Sequence, residues 1–288
     1  MTTVAVIGYA SLDHVLRLEG VPRPDATVIA AAAGGAWPRL GGSPSYIATA
    51  LRRAGVAGAA PVTWVADDAA GARFVAALAA ACVPVAGVAR TLPGATPVCV
   101  LAYAPDGACF CLYAPGASRT AALDDGQRGL LDAAFWVCVT AGPASATREV
   151  LTRLRPAQRL AWAVKADGDA FPPPLRAALA ARADLIVFSR GEAPFVAEAL
   201  AAAPARPGRR LVETRGAAGV ALTADGRTEM IGTEMLAAPD PTGAGDTFLG
   251  GMLAALIAQP GDAAAAVRAG QRAARDLLLA RLEGRTTP

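Results

Sequence analysis

Six short runs rich in Val, Ile, Leu and Trp limit what this chain can fold into: VAVIG at 4–8, APVTWV at 60–65, FWVCVT at 135–140, RLAWAV at 159–164, LIVFS at 185–189 and RRLVET at 209–214. Most are separated by Ala-, Leu- and Arg-rich segments of helical period. Strands that alternate with helices in this way predict a parallel sheet covered on both faces. Sheets of that kind bind ligands outside the C-terminal ends of their strands, so the residues just after VAVIG, LIVFS and RRLVET are the first places to look for chemistry.

One stretch breaks the alternation. PVCVLAY (97–103) and CFCLY (109–113) are joined through Pro105, Asp106 and Gly107, which is turn chemistry for an antiparallel hairpin. The Pro- and Gly-rich segment from Val15 to Leu40 carries short apolar pieces that can add strands to the same flap. A small β lid is therefore expected from segments near 14–40 and 96–117, attached to a single domain over 1–288. Ser43 followed by Pro44 reads as an N-cap and first helical position, and Gly55 as the stop, so a helix is expected directly behind Gly41 and Gly42.

Composition removes several function classes. The formal net charge is +3, and the Arg residues are scattered, with no basic stripe to track a phosphate backbone, so nucleic acid is not expected as a partner. The longest apolar run, Phe74 to Ala89, is broken by Pro84 and Gly87, too short for a membrane span. MTTVAVIGYASLD lacks the cationic start of an export signal. With His14 the single histidine, a Ser/His/Asp triad would have to be built around that one residue; it reads instead as a polar neighbour at a strand end. The five cysteines form no CxxC pair and lie in apolar runs, which predicts small core residues, reduced in a cytoplasm.

The most informative residues are DPTGAGDTF, Asp240 to Phe248, followed by the helix-forming LGGMLAALIA. Gly243, Ala244 and Gly245 are small enough for their backbone to approach a ligand, and a helix starting near Asp246 aims free N–H groups and its positive dipole end at an anion. A carboxylate beside such a site can take a proton from an attacking hydroxyl while the amides stabilise a transferring phosphoryl group. An isolated GxGD is equally consistent with an Asp that only caps the helix.

The full string closely resembles the C-terminal signature of the ribokinase-like (pfkB) carbohydrate and nucleoside kinases, a D-T-x-G-A-G-D-x-F type pattern. Further matches follow in that family's order: Gly8 and Asp13 in VIGYASLD, the di-glycine Gly41 and Gly42, PGAS at 115–118 as a lid exit, Glu192 as the acidic end of N-x-x-E, and TRGAAG at 214–219 as T-x-G-x-x-G. The resemblance implies an α/β, ribokinase-like doubly wound, mostly parallel sheet flanked by helices. It also implies an ATP-dependent kinase that phosphorylates a hydroxyl of a small sugar or sugar-like substrate in the cytoplasm. In that reading Asp246 is the catalytic base and the Gly243, Ala244 and Gly245 amides are the anion hole. Asp13, Gly41, Gly42 and Tyr46 bind substrate, Thr214, Gly216 and Gly219 bind nucleotide, and Glu192 serves Mg²⁺. A monovalent cation and a homodimer through the lid are further features it allows.

Three positions depart from the family pattern. Ser189 stands where N-x-x-E begins with Asn, Tyr46 replaces the Asn that follows the di-glycine, and Ser118 replaces a further Asn. The change at Tyr46 predicts that free ribose is a poor acceptor. It also keeps open a nucleoside kinase of the same fold, with Tyr46 and Tyr9 lining a base slot, while Ser189 keeps open a catalytically weak ligand-binding homologue. A dinucleotide dehydrogenase would need GxGxxG after the first strand, where this chain has Gly8 alone.

Overall fold

The structure is a computed structural model and describes residues 4–33, 37–238 and 240–283. In chain order the elements are β1 (Val4–Ile7), β2 (Ser11–Leu18), β3 (Ala30–Ala32), β4 (Arg39–Gly41), α1 (Ser43–Arg53), β5 (Ala59–Ala66), α2 (Ala69–Ala80), β6 (Val88–Leu92), β7 (Val98–Tyr103), β8 (Cys109–Ala114), α3 (Asp125–Ala133), β9 (Trp136–Val139), α4 (Ala144–Arg153), β10 (Arg159–Ala163), α5 (Pro173–Arg182), β11 (Leu185–Ser189), α6 (Ala193–Ala201), β12 (Arg210–Thr214), β13 (Val220–Ala224), β14 (Arg227–Ile231), α7 (Ala244–Ala258) and α8 (Ala263–Leu282).

The six apolar runs of the sequence form one contiguous parallel block, β12-β11-β10-β9-β1-β5, which β6 extends in parallel at one edge. At the other edge β13 and β14 continue it antiparallel. Strands buried on both faces must be apolar throughout, which is why they read as unbroken runs. Alternate residues serve opposite faces. Ala5, Ile7, Trp64, Val137 and Trp162 pack beneath Leu131 of α3, Val150 of α4, Leu179 of α5 and Val196 of α6. Val4, Val6, Cys138 and Val212 pack against Ile47 and Leu51 of α1, Phe248 and Met252 of α7 and Val267 of α8. Phe74 and Leu78 of α2 close a third cluster with Leu12 and Leu40.

The interruption forms a separate sheet. The β7–β8 pair is antiparallel as the turn chemistry predicts, with Tyr103 opposite Cys109. Its inner strand pairs in parallel with β2, whose other side takes β3 and β4 antiparallel. The strands therefore come from both predicted lid segments, with β2 beginning a few residues early, at Ser11. His14 lies within β2 and meets Trp37 edge-on, ring centroids 4.9 Å apart.

Two local expectations are corrected. Helix α1 is capped by Gly42, with Ser43 already helical, because the Gly42 carbonyl accepts the first bonds, from Ser45 N at 3.0 Å and Tyr46 N at 3.4 Å. The stop at Gly55 stands: Gly55 N bonds Arg52 O and Val56 N bonds Leu51 O, a Schellman closure. Of the cysteines, Cys99 and Cys138 are buried, but Cys82, Cys109 and Cys111 are exposed. Cys109 and Cys111 lie on β8, the outer strand of the small sheet, where no helix layer covers them. Among the described residues no helix is long and apolar enough to cross a membrane.

Candidate active site

The site forms where β1, β10, β11 and β12 end, the side of a parallel sheet that the topology leaves open to ligands. The turn Pro241–Gly243 and the start of α7 stand at its centre. Gly243 caps α7 with φ +73°, a left-handed conformation, and a side chain there would come within 2.5 Å of the Tyr46 ring. The helix ladder opens with Thr247 N donating to Gly243 O at 2.8 Å, while Ala244 N is already closed in a turn on Pro241 O at 3.0 Å. The amides of Gly245 and Asp246 belong to the first turn, which has no carbonyl one turn earlier to receive them. Of the three residues expected to form an anion hole, Ala244 has its amide engaged, while the amide of Gly245 lies in the first turn of α7 next to that of Asp246.

Two cavities flank this helix end. One, of about 380 Å³, is walled by Asp13, Gly42, Tyr46, Tyr103 and Asp246 among others. The second, of about 310 Å³, contains Thr214, Gly216 and Gly219 and is otherwise largely apolar, with Val220, Leu236, Phe248 and Leu278. Pro241 and Gly245 belong to both walls. Of the residues expected to bind substrate, Asp13, Gly42 and Tyr46 line the first cavity, and Thr214, Gly216 and Gly219, expected to bind nucleotide, line the second; the two cavities meet at the GAGD turn.

Asp13 lies on β2, and Ser11 Oγ donates to its Oδ1 at 2.6 Å. Burial pushes its carboxyl up to about 6, opposed by the Ser11 bond and the charge of Arg39. Gly41 does not line the cavity; it sits behind Asp13, where a Cβ would fall 2.0 Å from Asp13 Oδ1. Tyr46 serves two ends. It lines the cavity and it packs under Gly243, and burial, with Asp13 next in effect, pushes its phenol up to about 12, so it is neutral near pH 7.

Glu192 lines neither cavity. Its Oε2 accepts bonds from Ser189 N at 2.7 Å and Ser189 Oγ at 2.8 Å, closing the turn after β11. No group of three or more His, Cys, Asp or Glu residues is gathered to hold a metal among the described residues. Mg²⁺ commonly binds through one or two carboxylates plus substrate phosphates and water. Asp246, in the wall of the first cavity, can take part in that shared mode, and Glu192 lies near enough to act with it on the charge of Lys165.

Several site residues carry no mark in the motifs. Arg39 from β4 donates to both oxygens of Asp240, at 2.5 and 3.1 Å, across 201 positions of sequence. Burial works to raise the Asp240 carboxyl, and the Arg39 pairing outweighs it and holds it below the usual range. Arg281 of α8 donates to the carbonyls of Asp240 and Thr242, at 3.2 and 2.5 Å. Tyr103 of the small sheet shares a 2.7 Å hydrogen bond with Thr242. Lys165, just after β10, lines the first cavity. Its one sequence signal is compositional: it is the single lysine among 27 Lys and Arg residues.

The sequence pattern of pfkB family carbohydrate kinases matches residues 1–280. The chain belongs to this family, a class of phosphotransferases. No curated protein is similar in sequence at a significant level. Among solved structures, a ribokinase from Cryptococcus neoformans var. grubii serotype A in complex with ADP superposes with a TM-score of 0.80 at 20% identity, covering 100% of this chain and 97% of that one. A nucleoside kinase from Burkholderia thailandensis in complex with inosine gives 0.78 at 17% identity, covering 96% and 90%. Methanocaldococcus jannaschii nucleoside kinase gives 0.76 at 15%, covering 97% and 92%. The fold is thus ribokinase-like.

Proposed function

We propose that this protein is an ATP-dependent kinase that transfers the γ-phosphoryl group to a hydroxyl of a small sugar or sugar-like acceptor. The observation that carries this reading is the pair of cavities meeting at the amino end of α7, with Asp246 on the acceptor side. ATP would place its base against the apolar wall of the second cavity and its phosphates toward Gly245. Mg²⁺, held by the phosphates with Asp246 and Glu192 nearby, would neutralise phosphate charge.

Asp13 accepts hydrogen bonds from acceptor hydroxyls and fixes one of them toward Asp246. As the acceptor oxygen forms its bond to the γ-phosphorus, the bond from phosphorus to the β,γ-bridging oxygen breaks. The hydroxyl proton passes to Asp246 and ADP leaves. The Gly245 and Asp246 amides stabilise charge on the phosphoryl oxygens. The small sheet acts as a lid over the acceptor cavity, excluding water that would otherwise take the phosphoryl group.

A nucleoside acceptor is the second reading, favoured by Tyr46, Tyr103 and Leu101 in the acceptor wall, a surface on which a base can stack. Release of ADP measured with ribose, fructose, inositol and inosine, with Mg²⁺ and after its chelation, tests both. Magnesium-dependent turnover of a sugar or cyclitol supports the first reading and turnover of inosine alone the second. No turnover of any polyol or nucleoside would overturn the kinase assignment.

A further inference from the structure

We propose that Lys165 is a further catalytic residue, whose ammonium binds the phosphoryl group as it passes between the two cavities. The inference rests on the kinase reading above and adds a residue that neither the family motifs nor the spacing of the sequence marks.

This chain meets almost every need for positive charge with Arg, and Lys165 is its one lysine. The two side chains differ physically. Arg presents a broad planar fork, whereas Lys ends in a compact, strongly hydrated point charge with three donors on a slim stem. A group that must follow a phosphoryl unit past the Asp246 carboxylate suits the second shape.

Its position agrees. Lys165 follows β10 on the ligand-binding edge of the sheet and lines the acceptor cavity together with Thr242, Gly245 and Asp246. The cavity has two electrostatic poles. At one, Asp13 feels Arg39 and Arg281. At the other, Lys165 feels Asp246 most strongly, then burial, which opposes its charge, then Glu192, and the carboxylates prevail to keep it firmly protonated. The ammonium therefore belongs to the reacting end.

It is also uncommitted. Arg39, Arg128, Arg153 and Arg176 are each held in ion pairs, whereas the Lys165 ammonium forms no ion pair within 4.0 Å and no side-chain hydrogen bond among the described residues; only its main-chain carbonyl is engaged, by Asp167 N at 2.8 Å. A protonated amine near two carboxylates but bound by neither is placed to turn its donors to phosphoryl oxygens, where charge-assisted bonds are strong. Such a group, fixed before the reaction, stabilises charge spreading over the equatorial oxygens.

The single lysine makes the test direct. Protein labelled with [ε-¹³C]lysine gives one side-chain signal, and magnesium with the non-hydrolysable β,γ-imido analogue of ATP is expected to shift it. Lys165→Met is expected to lose about 10²–10³ in kcat with whichever of ribose, fructose, inositol or inosine is turned over, the size seen for removing one preorganised stabiliser. The KM for that acceptor and the thermal midpoint should change little, and Lys165→Arg should recover part of kcat. A Lys165→Met enzyme with wild-type kcat, or a signal that moves with the acceptor but not with the nucleotide analogue, would overturn the proposal. If the wild-type protein turns over no acceptor, yet its signal moves with the analogue, the kinase reading fails and Lys165 stands as a phosphate ligand.

Discussion

Asp246 and Asp13 face one cavity from different elements, and substitution separates their roles. Asp246→Asn keeps the shape of the helix start but removes the proton acceptor, so kcat is expected to fall at least about 100-fold. Calorimetric binding of the magnesium complex of the ATP analogue should persist; turnover near that of the wild type would remove Asp246 from the mechanism. Asp13 is raised from 3.8 to about 6 by burial, so folding favours its neutral form. That stabilisation is complete below pH 3.8 and is lost as pH rises to about 6, where the carboxylate must be carried buried. Asp13→Asn should therefore leave stability unchanged near pH 3.5 and raise it above pH 6, by up to about 3 kcal/mol, while acceptor binding is lost. Denaturant midpoints across that pH range check the sign, and a loss of stability at pH 7 would contradict it. Both carboxylates were legible in sequence because they stand in short strings with glycine and strand neighbours. Arg39 and Arg281 were not, since nothing local distinguishes two arginines in an arginine-rich chain from those on its surface.

At the scale of elements, the start of α7 depends on how closely α1 approaches it. Gly243 combines a positive φ with a Cβ position only 2.5 Å from the Tyr46 ring. Gly243→Ala is expected to cost at least about 1–2 kcal/mol from backbone handedness alone, with the displaced ring adding to it and acceptor KM rising. An unchanged unfolding midpoint would show that the turn relaxes freely. The six core strands were readable because burial on both faces demands unbroken apolar runs, a property that needs no knowledge of the partner strand. Ser before Pro is a good N-cap pattern in isolation, but the cap of α1 falls one residue earlier, at Gly42, because the chain there crosses the Tyr9–Ser11 backbone so closely that a Cβ would lie 2.4 Å from Tyr9 O. The cysteines of β8 were misjudged for a related reason. Apolar neighbours along a strand do not say whether another layer covers it.

The whole molecule is a large sheet with a small one leaning over its ligand edge, joined through Tyr103 and Thr242. On β8 of the small sheet Phe110 is 39% and Leu112 67% exposed, and Ile29, just before β3, is 63% exposed, apolar side chains that a second copy can cover. Light scattering is expected to report a homodimer, and Leu112→Asp to give monomers. A wild-type monomer at all concentrations measured would remove lid-mediated pairing.

The sequence by itself determined the alternation of strands and helices, the existence of a hairpin outside it, and the GAGD helix start, since each follows from periodicity or turn chemistry within a few residues. Tertiary structure alone decided that Arg39 meets Asp240 across 201 positions, that Asp13, Gly42 and Tyr46 line one cavity and Thr214, Gly216 and Gly219 another, with Pro241 and Gly245 in both walls, and that the one lysine lines the same cavity as Asp246. The reason is physical: local backbone preferences act between near neighbours, while a site of charges and cavities exists only once distant segments are packed together and water is excluded between them.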